Sequence, residues 1–228
     1  MTSTDVGRIV LTMSGKTNND RRTERRQATQ REIVQASWDV VREHGLAGLS
    51  MRDLGERVGM RAQSIYSYFA SKHEIYDAMF LEGYQAFATW MDAAIDDNDI
   101  ESDPIGTAKA TTHAFVEFCT SDPVRYQLLF QRMIPDFTPS PETYAVAVET
   151  YDQMARRLAV GVRDQATLDL WTAVLTGLTD QQISNDPGGT RWTQLVDRAV
   201  DMLIAEGRSN ETTTANTITN TSTGNEKA

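Results

Sequence analysis

Between Ile33 and Leu203 the apolar residues recur three and four positions apart, and nowhere do they alternate with polar ones long enough for a half-buried strand. Ile33, Ala36, Val40 and Val41 share one face ahead of Gly45, Ile65 and Phe69 stand four apart, and Ile105, Ala108, Thr112, Phe115 and Cys119 make a further stripe. Glycine and proline fall at the ends of these stretches, where they stop or start helices. The spacing therefore predicts an all-α chain of about nine helices. The first runs from Thr23 to His44, and two short ones follow over Met51–Val58 and Arg61–Phe69, the former capped by Ser50. Ser71-Lys-His-Glu74 has the form of a capping box and opens a long helix from Lys72 to about Asp96. Asp97–Asp103 reads as an acidic linker, and helices then begin at Pro104 and Pro123. Beyond Pro135, Pro139 and Pro141, a helix carries Tyr144, Val148, Tyr151, Leu158 and Val162 in phase. The last two helices are expected over Ala166–Ser184 and Thr190–Glu206.

A chain of 228 residues can bury one or two cores. No run approaches the roughly 20 apolar residues of a membrane helix, and no signal-peptide pattern opens the chain, so a cytoplasmic protein without membrane association is expected. The single cysteine, Cys119, rules out an internal disulfide and fits a reducing compartment. His44, His73 and His113 lack ligand spacing, so neither a metal site nor a cofactor is expected. The net charge of −10 is uneven: residues 21–72 hold ten Lys/Arg against six acids, while residues 81–228 hold ten against 22. A basic head on an acidic body suits a DNA reader with a separate regulatory part, and equally a head with a solvated charged face.

The domain reading is a flexible tail over 1–20, a helix-turn-helix DNA-binding domain over 21–72, a larger C-terminal bundle for ligand binding and dimerisation over 73–207, and a disordered Thr/Asn/Ser-rich tail over 208–228. Two short helices separated by Gly59, resting on a third, are the arrangement of a helix-turn-helix. The string Leu49-Ser-Met-Arg-Asp-Leu-Gly-Glu-Arg-Val-Gly-Met-Arg-Ala-Gln-Ser-Ile-Tyr-Ser-Tyr-Phe-Ala-Ser-Lys72 is far more specific. It resembles the DNA-binding domain of TetR-type (TetR/AcrR) transcriptional regulators, with their Leu-Ser/Thr-x-Arg-x-Leu/Ile opening, glycine turn and Leu/Ile-Tyr-x-x-Phe-x-x-Lys ending. The resemblance covers about residues 28–80.

Arg52, Arg61 and Gln63 are long enough to reach base edges, Arg onto guanine O6/N7 and Gln onto adenine N6/N7. The resemblance implies that Arg52, Ala62, Gln63 and Tyr66 face the bases. Ser50, Ser64, Tyr66, Tyr68 and Lys72 suit phosphate contacts, although Tyr68 packed on the first helix is an equal reading. Arg21, Arg22, Arg25 and Arg26 form either an arm on phosphates or a minor groove, or a solvated tail.

For the body, the resemblance implies a bundle enclosing a small-molecule effector and a homodimer made by the last two helices. Phe87, Phe115, Phe118, Tyr126, Phe130, Tyr144, Tyr151, Met154 and Trp171 are the candidate effector contacts, and ordinary core packing is the competing reading. The final helices are apolar on two sides, which calls for a second partner, and Leu170, Val174, Val196, Val200 and Leu203 are the candidate interface. Gly15-Lys16-Thr17 lacks the upstream glycine of a phosphate-binding loop, and no GxSxG or HExxH occurs, so no enzyme is expected. The expected function is a ligand-responsive repressor holding a double-stranded, pseudo-palindromic operator as a homodimer and released by a small apolar or aromatic effector. A regulator gated by a protein partner is the alternative, and an all-helical enzyme a remote one.

Overall fold

A computed structural model describes residues 18–207, which form ten α-helices, with no strand among the described residues. They are α1 (Asn18–His44), α2 (Met51–Arg57), α3 (Ala62–Ile65), α4 (Lys72–Ala94), α5 (Asp99–Ser102), α6 (Pro104–Ser121), α7 (Pro123–Phe130), α8 (Pro141–Arg157), α9 (Gln165–Asn185) and α10 (196–207). The tails expected over 1–20 and 208–228 lie outside these residues, except that α1 begins at Asn18. The tenth helix is α5, a single turn within the expected acidic linker. The third helix ends at Ile65 rather than Phe69, since residues 66–68 close into turns. Thr193–Leu195 forms a 3-10 turn ahead of α10.

Starts are set by side chains. Ser50 accepts the Asp53 N–H and caps α2, and Ser71 accepts the Glu74 N–H and caps α4, while the Glu74 carboxylate reaches back to the Ala70 N–H. Asp103, Asp122 and Ser140 cap α6, α7 and α8, each followed by a proline in the first turn.

Two apolar cores share α4. Ile33, Trp38, Val41, Leu49, Leu54, Ile65 and Phe69 pack with Ile75, Tyr76 and Met79 from the first turns of α4. Further along α4, Phe80, Tyr84, Phe87 and Met91 belong to a second core built by α6 to α10. Three joints lock the head to the body. The Trp38 indole N–H donates to Glu82, Arg42 pairs with Asp122 at 2.8 Å, and the Arg125 guanidinium lies over the Trp38 ring. Asp77 of α4 accepts from the Ser140 N–H and from the Ser140 and Thr143 hydroxyls, fixing the start of α8.

The body corrects two expectations. Helix α8 turns Thr143, Ala147 and Thr150 inward, leaving Tyr144 55% and Tyr151 39% exposed. Small residues at that spacing let α8 approach α4, and the Thr143 hydroxyl is held by Asp77, so the two tyrosines lie outside the core they were expected to line. Phe87, Phe115, Phe118, Tyr126 and Trp171 are buried, and Phe130 and Met154 are half-buried against them. The Phe130 ring sits 5.3 Å from Phe115, 5.4 Å from Phe87, 5.7 Å from Tyr84 and 5.8 Å from Tyr126, within the range of favourable aromatic pairs. At the edge of this cluster Asp180 accepts from the Tyr126 hydroxyl and the Gln131 amide.

The second correction concerns the last two helices. Val196, Val200 and Leu203 are buried within the chain's own core and offer no surface to a second copy. Their neighbours face outward: Met202 is 65% exposed, with Leu195 and Ala199 half-buried on the same side. On α9, Leu170 is 44% exposed and Val174 and Leu178 are half-buried.

Candidate nucleic-acid interface

Two glycines bring α2 and α3 together. Gly59 adopts φ +67° and turns the chain between them. Gly55 has no such φ, but a Cβ there would lie 2.6 Å from the Met60 carbonyl and 3.0 Å from the Ala62 N. Its bare Cα is what permits the two backbones to meet, a requirement that the sequence reading assigned to Gly59 alone. Leu54 and Ile65 then close the pair over a fully buried contact. The expected α2–turn–α3 unit is thus a rigid one, with its outer side free to carry polar groups.

That outer side carries most of the residues anticipated from the sequence. Arg61 and Gln63 are exposed at the first turn of α3, and Tyr66 just beyond it is 48% exposed. Ala62 and Ser64 are half-buried, Ala62 against the head core. Arg52 projects from α2 into solvent, its Nε donating to Glu56 at 3.0 Å, and this carboxylate partner also raises its pKa.

Three residues have structural roles in addition. Ser50 uses its acceptor on the α2 cap. Tyr68 is half-buried against the head core, under the guanidinium of Arg26 at 5.2 Å, which is the packing alternative weighed for it. Lys72 donates from Nζ to the Leu49 carbonyl at 2.9 Å and braces the segment before α2. An ammonium has three donors, so this bond leaves capacity for a phosphate.

Sequence reasoning missed the brace behind α3. Arg26 donates to the Ser67 carbonyl at 2.8 Å and Gln30 to the Tyr68 carbonyl at 3.2 Å, so α1 holds the far end of the α3 turn. The helical spacing of Arg26 and Gln30 was the available signal: both lie one or two turns ahead of Ile33, on its side of the helix.

Residues 33–79, which span this unit and the start of α4, match the family described as bacterial regulatory proteins, tetR family. Over these residues the chain carries a TetR-type DNA-binding region. The chain is 27% identical over 146 residues to the HTH-type transcriptional regulator Rv1816 of Mycobacterium tuberculosis (strain ATCC 25618 / H37Rv), a match covering 62% of the chain and 61% of that relative's length. Its fold is similar to that of PfmR, a TetR family transcriptional regulator from Thermus thermophilus, with TM-score 0.56 and 17% identity over 76% of this chain and 97% of the other. It is similar also to the multidrug binding protein EbrR complexed with malachite green, with TM-score 0.53 and 19% identity over 76% and 96% of the two chains. No helix among the described residues is long and apolar enough to cross a membrane.

Proposed function

We propose that the chain is a transcriptional repressor that binds a pseudo-palindromic operator as a homodimer and releases it when a small apolar or aromatic effector enters the body. The observation that carries the reading is the rigid α2–turn–α3 unit presenting Arg61, Gln63 and Tyr66 outward, with Arg52 alongside. An α-helix fits the width of the major groove, and Arg and Gln at its first turn can read guanine and adenine edges. Two copies related by a two-fold axis place two such helices in successive major grooves, which makes the site palindromic.

For the effector, support comes from the aromatic cluster around Phe130, which concentrates apolar side chains beside the carboxylate of Asp180. EbrR, a protein of similar fold, is seen with the aromatic dye malachite green. Helix α4 contributes to both cores, so an effector that shifts Tyr84 or Phe87 acts on the same rigid element that carries Ile75 and Met79 under the head. The effector must prefer a state that DNA does not, and the coupling is reciprocal.

A gel shift against the DNA flanking its own coding region tests the first half, and specific retardation at a stated salt concentration is expected. A thermal-shift panel of aromatic compounds, followed by titration of a hit with and without saturating operator, tests the second. Operator should weaken the hit by about 5–150-fold. Equal affinities would leave DNA binding standing and hand the gating to a protein partner.

A further inference from the structure

The opening turns of α1 belong to neither core. Residues 19–28 are exposed, yet they continue the helix that packs under α3. Their charges are sorted by side. At about 100° per residue, Arg21, Arg22, Arg25 and Arg26 fall within a sector of roughly 140°, while Asp20 and Glu24 fall together on the opposite side. The basic sector adjoins the line of α1 that buries Ile33, Ser37 and Val40, so it faces the same side as the α2–α3 unit. The extension is also fixed in angle: Arg26 is bound to the Ser67 carbonyl and lies over the Tyr68 ring, immediately after α3.

Resting on the reading of α2 and α3 as the DNA-facing unit, we infer that the α1 extension is a second DNA-binding element, in which Arg21, Arg22 and Arg25 contact backbone phosphates outside the base pairs read by α3. Arg26 is its positioning residue. The helical form decides between the two nucleic-acid roles open to these arginines. A helix with its side chains is about 10–12 Å across and the minor groove only about 6 Å wide, so the extension lies over the backbone instead of entering that groove. The eight residue steps from Asn18 to Arg26 rise about 12 Å, the length of roughly three to four base pairs per half-site. Charge complementarity is local, because residues 21–72 hold ten Lys/Arg against six acids while residues 81–228 hold ten against 22, so the excess positive charge that attracts a polyanion lies at this end of the sequence. Contacts of this kind raise affinity for all sequences alike and lengthen the site without adding base preference.

The test compares wild type with the R21Q/R22Q/R25Q variant, which keeps good helix formers and leaves Arg26 in place, on the selected operator with full and shortened flanks over a range of salt. The slope of log K against log salt should fall by about 0.9 for each phosphate that is no longer neutralised, and the variant should become indifferent to flank length while choosing the same bases. Unchanged slope and flank dependence at unchanged helicity would overturn the inference and leave α3 as the reader. A change in base preference at the flank would overturn the backbone assignment in favour of groove contact. Failure of wild type to select any DNA would remove the reading of α2 and α3, and this inference with it.

Discussion

Gln63 projects from a helix of a single turn, and its reach depends on how firmly that turn is held. Ile65 buries the inner side, and Arg26 and Gln30 fasten the carbonyls at 67 and 68, so the amide is presented at a fixed angle. Gln63→Ala should therefore cost about 1–3 kcal/mol on the operator and relax preference at particular base positions. Selection of bound sequences by the variant checks this, and an unchanged consensus would remove Gln63 from the readers. A second residue-scale effect comes from buried acids that ionise late. Burial holds the Cys119 thiol above its ordinary value of 9.0 and the Tyr84 and Tyr126 hydroxyls above 10.0, with Asp180 adding to the shift at Tyr126. The unfolded chain loses these protons first, so their stabilising effect is complete at about pH 8 and below, begins to be lost as pH rises past the ordinary values, and goes on falling towards the raised ones. Urea midpoints should fall between about pH 8 and about pH 10.5, and equal midpoints would contradict the burial of these groups. The same burial makes Cys119 a packing residue and a poor redox sensor.

At the scale of elements, the closeness of α2 and α3 is the most sensitive feature. Gly55→Ala gains about 0.5–1 kcal/mol of helix preference but drives a methyl into the Met60 carbonyl, and backbone cannot rotate away. Overpacking costs typically 1–3 kcal/mol, so the clash wins and the melting temperature should drop by several degrees. A variant that melts at or above wild type would show that the turn gives way. The α2–turn–α3 unit was readable because each of its parts carries its own local signal: the Ser50 cap, the Gly59 turn, the paired apolar residues and the Ser71 box. Helix α8 was misread for the opposite reason. Its tyrosines keep helical phase, but threonines and an alanine in the next phase pack closer to α4, and only the partner Asp77, 63 residues away from Ser140, decides which face turns in. The sequence reading began α1 at Thr23, five residues late, because residues 18–22 are wholly polar; their helicity follows from propagation of a helix already nucleated on the head.

For the whole molecule, the proposed homodimer turns on which side of α9 and α10 would meet a second copy, since both helices are apolar on two sides. The sequence could name the stripes but not sort them, because an inner and an outer stripe look alike until the rest of the bundle claims one. The body claims Leu175 and Trp171 on α9 and Val196, Val200 and Leu203 on α10. Leu170 and Met202 remain exposed, Val174, Leu178, Leu195 and Ala199 are half-buried, with Val174 and Leu178 also packed against the body's core, and Gly177 has open space where a side chain would stand. A surface of that composition, seated against its own two-fold copy, would make the isologous four-helix contact of the proposed dimer. The two stripes therefore predict opposite behaviour. Leu170→Glu combined with Met202→Glu should convert a dimer to monomers of unchanged helicity, and operator affinity should fall as the two heads bind independently. Val200→Glu buries an unpaired carboxylate in the chain's own core, so it should unfold the body whatever the assembly state. Sedimentation and circular dichroism on the two variants separate the cases. A folded monomer from Val200→Glu, or an intact dimer from the outer pair, would return the interface to the residues that the core holds.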